Sequence, residues 1–114
     1  MNNVFYYNDL FDIYGELLTD KQKDYFKAYY FDNLSYGEIA LKYDVSRNAV
    51  FKQLKMATDK LEELEDKLHI NNRNNKLIEI INNIDDDSLK SQLEELLWLF
   101  YLYNSFFMVI IYIE

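Results

Sequence analysis

The chain contains no proline and only two glycines among its 114 residues. Because these two residue types most often end or bend a helix, their near-absence favours long, uninterrupted helices. Half of the residues are apolar, which suffices for one buried core, while the length is too short for two independent domains. The sequence therefore predicts an all-α protein, with a core unit over residues 1–70 and a helical tail over residues 71–114 that packs on the core or on a dimer partner.

Several kinds of site are excluded or disfavoured by the residues present. The chain has no cysteine, which rules out disulfides, thiolate zinc sites and cysteine nucleophiles. The single histidine, His69, ends an acidic segment, where a helix cap is more common than a catalytic base. The run Asp85–Asp87 fits a helix start better than a calcium loop, and no glycine-rich phosphate loop is present. We therefore expect no enzyme, no catalytic residue, no metal and no cofactor.

The first residues, MNNVFYYNDLFD, lack the basic flank and apolar stretch of a signal peptide. This pattern predicts a cytoplasmic protein.

Helix-capping residues divide the chain into helices. An amphipathic stripe predicts a helix over residues 8–18, and the asparagine-rich residues 71–75 are predicted to be a linker. Capping residues, in two cases as complete capping boxes, predict the starts of the later helices; they are Thr19, Ser35, Ser46 and Asp85 to Ser88.

The helix that begins after Ser46 is predicted to run to about His69 with apolar residues spaced alternately four and three apart. This is the heptad spacing of a helix that keeps one stripe against a partner. Either the stripe joins two copies as a homodimer, or it packs on other helices of the same chain. The dimer or packing seam consists of Ala57, Leu61, Leu64 and Leu68.

Residues 35–55 have the pattern of a helix-turn-helix. Such a motif needs a small residue on the first helix, an apolar residue in the turn and inward apolar residues on the second helix, and these are Ala40, Val45, Val50 and Leu54. The remaining residues of the second helix then form a candidate nucleic-acid-binding face, namely Ser46, Arg47, Asn48, Phe51, Lys52 and Lys55. Arginine and asparagine suit base edges, whereas lysines suit phosphates.

Charge adds a constraint on this face. The net charge is −8, the wrong sign for a protein that coats nucleic acid non-specifically. Residues 46–60 nevertheless carry four basic side chains against Asp59 alone. Asp44 also stands in the turn, where glycine is usual, and its carboxylate should weaken binding. The sequence thus predicts a small, localised contact rather than an extended one.

The pieces LLTDKQ, YYFDNLSYGEIA, VSRNAV and EDKLH occur together between Leu17 and His69. In this combination the chain resembles the bacterial YlxM family over roughly residues 10–70. The resemblance implies a helix-turn-helix core that is winged-helix-like or similar to region four of sigma factors, followed by the long helix and C-terminal helices. It also implies a dimer, no catalysis, a regulatory role and a link to the signal recognition particle. Asn48 stands where the family more often has glutamine.

Two functional hypotheses follow from the pattern and the resemblance. One is a DNA-binding regulator that uses the helix after Ser46. The other is an accessory factor that contacts the RNA or protein of the signal recognition particle through the same face.

The stretch from Leu96 to Ile113 is apolar except for Asn104 and Ser105. A membrane span needs at least roughly 17 apolar residues, so the length allows one. Glutamates rather than lysines flank the stretch, and membrane association is therefore not favoured. Three interpretations stay open: a segment that completes the core or a dimer interface, which we prefer, a membrane-associated tail, and a gene-level change such as a shifted reading frame.

Overall fold

A computed structural model describes residues 3–99, which form an all-α structure with no strand in that range. The long helix is central and packs on the first three. A 3-10 turn over Gly15–Leu17 follows the first helix, and a π-helical turn over Lys27–Phe31 extends the second. The α-helices described within residues 3–99 are α1 (Asn3–Tyr14), α2 (Asp20–Phe26), α3 (Tyr36–Tyr43), α4 (Arg47–Leu68), α5 (Ile70–Asn82) and α6 (residues 87–99).

Both predicted capping boxes are confirmed. The Thr19 hydroxyl accepts a hydrogen bond from the Gln22 backbone N–H at 3.2 Å, and the Gln22 side chain accepts one from the Thr19 N–H at 3.0 Å. The Ser35 and Glu38 groups make the same reciprocal pair, each bond at 3.1 Å. Such caps contribute about 1 kcal/mol each, and they set where α2 and α3 begin.

Two boundaries differ from the prediction. Helix α1 begins at Asn3 rather than near residue 8, because the aromatic side chain of Tyr7 continues the inward stripe of Leu10 and Tyr14. The predicted linker at 71–75 is wrong, because these residues lie within α5, where Asn71 and Asn74 are buried.

The core has two parts that follow one another along the same side of α4. One part joins the N-terminal half of α4 to α2 and α3, and the other joins its C-terminal half to α1 and α5. In the second part the rings of Phe11, Phe26 and Tyr30 stack in series, with centroids 4.5 and 4.4 Å apart.

The predicted heptad seam lies largely within this core. Ala57 and Leu61 are fully buried in the same cluster as α1 residues, and Leu64 is packed against that cluster. Leu68, at the end of α4, is 44% exposed. Along most of its length the seam is therefore covered by other helices of the same chain.

Helices α4 and α5 are joined through a buried carboxylate. His69 ends α4 in the left-handed conformation with φ 56° and leads directly into α5. The Glu65 Oε1 atom accepts hydrogen bonds from the Tyr14 hydroxyl at 2.7 Å and from the Asn71 N–H at 3.0 Å, and its Oε2 atom accepts one from the Asn72 N–H at 3.0 Å. Because the first N–H groups of a helix lack intrahelical partners and carry positive potential, this carboxylate caps α5 and ties it to α1.

One buried and two half-buried tyrosines should make the fold less stable in alkali. Burial, and then a hydrogen bond to Glu62, raise the pKa of Tyr7 to about 12, and burial, with the nearby tyrosines, raises the pKa of Tyr30 to about 12. Burial and the hydrogen bond to Glu65 raise the pKa of Tyr14 as well. Since the folded chain holds these protons more tightly than the unfolded one, their contribution is complete below pH 10 and is lost as the pH rises from there towards 12.

We therefore expect the free energy of unfolding in urea to fall between pH 10 and 12. The Tyr14→Phe variant should have a lower free energy of unfolding than the wild type at pH 8, and that free energy should decrease less than the wild type's between pH 10 and 12. A free energy that does not change with pH in this range would contradict the assignment.

Helices α5 and α6 leave an apolar surface uncovered within residues 3–99. A groove of about 340 Å³ between them is lined by the side chains of Arg73, Leu77, Ile80, Ile81, Leu93, Leu96 and Leu97. We call this surface the α5–α6 face. Ile80 and Leu96 are 61% and 60% exposed there.

Among the helices within residues 3–99, none is both long and apolar enough to cross a membrane. Only residues 96–99 of the stretch from Leu96 to Ile113 belong to this range, where they lie in α6. The three interpretations of the rest of the stretch lie outside the described residues.

Candidate nucleic-acid interface

Helices α3 and α4 form a helix-turn-helix, as the sequence predicts. Ala40 on α3 and Val50 and Leu54 on α4 are buried in one cluster, and Val45 in the turn packs against it. The Val45 N–H donates to the Ala40 carbonyl at 3.0 Å, which closes the turn. These contacts fix the direction of α4 relative to α3.

Asp44 occupies the position of the turn that requires a left-handed backbone. Its φ and ψ are 54° and 52°, and its N–H bonds the Ala40 carbonyl. Glycine adopts this conformation without cost, whereas aspartate tolerates it better than most other residues. The turn predicted from the sequence therefore forms despite the missing glycine, and it carries an exposed carboxylate.

Ser46 begins α4 as its cap. Its hydroxyl accepts a hydrogen bond from the Ala49 N–H at 3.0 Å, and the residue is exposed. The cap fixes the first turn of α4 in a helical conformation, which positions the side chains at 47 and 48.

One outward face of α4 carries the remaining predicted binding residues. They follow one another at helical spacing, all are exposed, and they occupy the first three turns of the helix; they are Arg47, Asn48, Phe51, Lys52 and Lys55. We call these five residues the α4 face.

The cations of the α4 face differ in their surroundings. The Lys55 ammonium lies 3.4 Å from the Asp59 carboxylate, one turn further along α4, and both side chains are exposed. Exposed pairs of this kind are weak, so Lys55 can exchange Asp59 for another anion. Among the side chains of residues 4–99, no carboxylate lies within ion-pairing distance of Arg47 or Lys52.

Several acidic residues follow the α4 face along the same helix, but not all of their carboxylates lie on the side of α4 that carries this face. Glu65 is buried and makes the hydrogen bonds to Tyr14 and to the start of α5 described above, which we call the Glu65 clasp. Glu62 is half-buried and accepts a hydrogen bond from the Tyr7 hydroxyl at 2.8 Å. Glu63 is paired with Lys67 at 3.0 Å. The negative charge that the sequence places after residue 60 is therefore partly directed towards the other side of α4.

Sequence reasoning missed an aromatic support behind the α4 face. The Phe51 ring is 47% exposed and meets the Tyr36 ring edge to face, with centroids 5.9 Å apart. The Tyr36 ring in turn stacks on Tyr29 at 5.1 Å. The only sequence signal was that Tyr36 directly follows the capping residue of α3, which places it next to the start of α4.

No group of three or more acidic or histidine side chains within residues 3–99 is arranged to hold a metal ion. His69 serves as the left-handed residue between α4 and α5. The Asp86 carboxylate accepts a hydrogen bond from the Leu89 N–H at 3.0 Å and so caps α6.

Comparison with known proteins agrees with this geometry. A family model described as "Putative helix-turn-helix protein, YlxM / p13 like" matches residues 1–100. The chain is similar to a Mycoplasma mycoides protein, at 38% identity over 96 residues, which covers 80% of this chain and 85% of that protein. It is similar to a Halalkalibacterium halodurans protein at 44% over 79 residues, covering 69% and 72%. A third relative, from Bacillus thuringiensis, is 56% identical over 61 residues, covering 54% and 56%, and all three carry the name UPF0122 protein.

Proposed function

The chain belongs to the family of YlxM/p13-like helix-turn-helix proteins, and from its exposed basic face we propose that it binds duplex DNA and acts as a non-enzymatic regulator. The observation that carries this proposal is the α4 face, which presents Arg47 and Lys52 on the second helix of the motif, neither of them ion-paired with a carboxylate of residues 4–99. In the usual docking geometry the first turns of this helix enter the major groove.

The side chains divide the work according to their chemistry. Arg47 can donate two hydrogen bonds to a guanine edge, and the Asn48 amide can pair with an adenine edge. Lys52 and Lys55 are better suited to phosphates, contacts that position the helix without reading sequence. Ser46 serves mainly as the cap, and its exposed hydroxyl can also donate to a phosphate.

The salt dependence of binding tests this proposal. A fluorescently labelled duplex from the chain's own operon region, or one enriched from a random pool, should bind with an affinity that falls steeply with salt. With the two lysines on phosphates, the logarithm of the affinity should fall by roughly two units per tenfold rise in salt concentration for each copy bound. Binding that does not respond to salt, or no binding to any duplex, would contradict the proposal.

Replacing Asp44 with glycine should strengthen both the turn and the binding. Glycine removes the strain of a left-handed L-residue, so we expect the protein to gain about 0.5 kcal/mol in stability. Loss of an exposed carboxylate two residues before the α4 cap should also tighten duplex binding by about two- to fivefold at low salt. Urea unfolding and the same titration measure the two effects, with Asp24→Gly, an exposed aspartate on α2, as the control that should destabilise and leave affinity unchanged.

We further propose that the protein acts as a homodimer joined through the α5–α6 face. The heptad seam is mostly covered within one chain, whereas Ile80 and Leu96 stay exposed around the apolar groove. Exposed apolar patches of this kind mark interaction sites. A second copy is the occupant that DNA binding favours. A chain with net charge −8 has few cationic contacts with DNA, and a dimer doubles them.

Replacing Ile80 and Leu96 together with glutamate should turn a dimer into a monomer that still folds, since both side chains are exposed. Size-exclusion chromatography with light scattering gives the mass, and the affinity for the duplex should fall at least tenfold. Phe5→Glu with Met56→Glu is the matched control, because both side chains are exposed, at 79% and 54%, and the two double variants add the same charge. A wild-type chain that runs as a monomer, or a variant that stays dimeric, would overturn this arrangement.

The small extent of the basic face, in a chain of net charge −8, favours a second candidate function, the one that the resemblance to the YlxM family implies. An accessory factor of the signal recognition particle would use the same α4 face, and it needs only a small docking surface on RNA or protein. A pull-down from lysate with and without DNase and RNase separates the partners. Loss of the captured material with DNase supports the regulator, loss with RNase supports the accessory factor through RNA, and retention under both points to a protein partner.

A further inference from the structure

We propose that Phe51 contacts the C5-methyl group of thymine and so gives the protein a preference for thymine in the major groove. The inference rests on the proposed binding of duplex DNA by the α4 face. It adds the base type that one side chain of this face recognises.

Phe51 is placed among the cations rather than apart from them. It lies four residues after Arg47 and four before Lys55, so the three side chains form one stripe along α4. If Arg47 and Lys55 contact phosphates or base edges, the Phe51 ring between them lies in the major groove. The ring is 47% exposed, so about half of its surface is open for contact.

The ring is also held in place from behind. Tyr36 meets it edge to face at 5.9 Å, and Tyr29 stacks on Tyr36 at 5.1 Å. The core part formed by α2, α3 and the N-terminal half of α4, which includes the buried Ile39 and Val50, supports these tyrosines. A side chain that is already ordered loses little conformational entropy on contact with a ligand.

The chemistry of the groove leaves one natural partner for an apolar ring. Thymine alone among the four bases presents an apolar methyl group in the major groove, whereas the other edges present hydrogen-bond donors and acceptors. An aromatic ring set against those polar edges would leave them without partners. Stacking on an unpaired base is disfavoured, because Tyr36 already covers part of the ring and the flanking cations lie along a helix suited to a groove.

Paired duplexes test the inference directly. A duplex that the protein binds is resynthesised with dU in place of every dT, which removes only the C5-methyl groups. We expect the wild-type protein to bind the dU duplex about fourfold more weakly for each methyl contacted. Phe51→Ala should bind both duplexes equally, while Phe51→Leu should keep part of the difference. Asn48→Ala is the control that should weaken binding and keep the full difference.

The outcomes separate this inference from the one on which it rests. Equal wild-type affinity for the two duplexes overturns the thymine contact and leaves DNA binding intact. A difference that survives in Phe51→Ala overturns the assignment to Phe51. Failure to find any duplex that the protein binds, in the titrations that precede this comparison, overturns the proposed function and the thymine contact with it.

Discussion

Reversing the charges of Arg47 and Lys52 to glutamate should reduce the affinity for duplex DNA by about 100-fold or more. Each side chain is expected to contribute about 1–3 kcal/mol through a base or phosphate contact, and each glutamate adds repulsion from the phosphates. Both residues are exposed, so the fold should be unaffected, which circular dichroism and the urea midpoint can verify. Fluorescence anisotropy at low and moderate salt measures the loss.

The matched control is Lys21→Glu with Lys76→Glu. Both lysines are exposed and lie on α2 and α5, away from the α4 face, and the change in net charge is the same. We expect the control to weaken binding only slightly, through the general field of the protein. If the two double variants lost affinity equally, the contact would depend on overall charge and the assignment to the α4 face would be wrong.

Replacing Glu65 with alanine should destabilise the protein by about 3 kcal/mol or more, a large share of the usual stability of about 5–15 kcal/mol. The substitution leaves the Tyr14 hydroxyl and the N–H groups of Asn71 and Asn72 without their acceptor, and the first two of these groups are buried. It also removes the negative charge at the start of α5. Chemical denaturation measures the loss, and hydrogen exchange should show α5 opening before α4.

Two further variants identify the cause. Glu63→Ala removes an exposed carboxylate from the same helix and should leave the unfolding midpoint close to that of the wild type. A double-mutant cycle with Tyr14→Phe should show strong coupling, because the Tyr14 hydroxyl donates to Glu65. An effect of Glu65→Ala no larger than that of Glu63→Ala would show that the clasp contributes little.

The features that the sequence predicted correctly depend on neighbours in the chain. A capping box joins residues three apart, so Thr19 and Ser35 identified their helix starts without any tertiary information. The helix-turn-helix depends on spacings within about 20 residues, and here Ala40, Val45 and Val50 meet as their spacing required. The exposure of Arg47 and Lys52 follows from the helical phase that buries Val50 and Leu54.

The features that the sequence did not predict depend on distant contacts. Asn71 and Asn74 have low helix propensity, and only a carboxylate capping the helix start together with packing on α1 places them in a helix. Nothing local distinguishes Glu65 from its acidic neighbours except that it lies four residues after the buried Leu61. The heptad could not decide between partners either, because its period is the same whether α1 or a second copy covers the stripe.

Helix α4 also sets a distance. Its 22 residues give a rigid rod roughly 33 Å long, with the α4 face at one end and the Glu65 clasp at the other. In a dimer joined through the α5–α6 face, the distance between the two α4 faces would be set by the number of residues in α4 rather than by a flexible connection. Such a dimer would bind two half-sites at a fixed separation along the DNA. Adding one heptad to α4 would change the separation of the half-sites that it accepts, while the bases read within each half-site would stay the same.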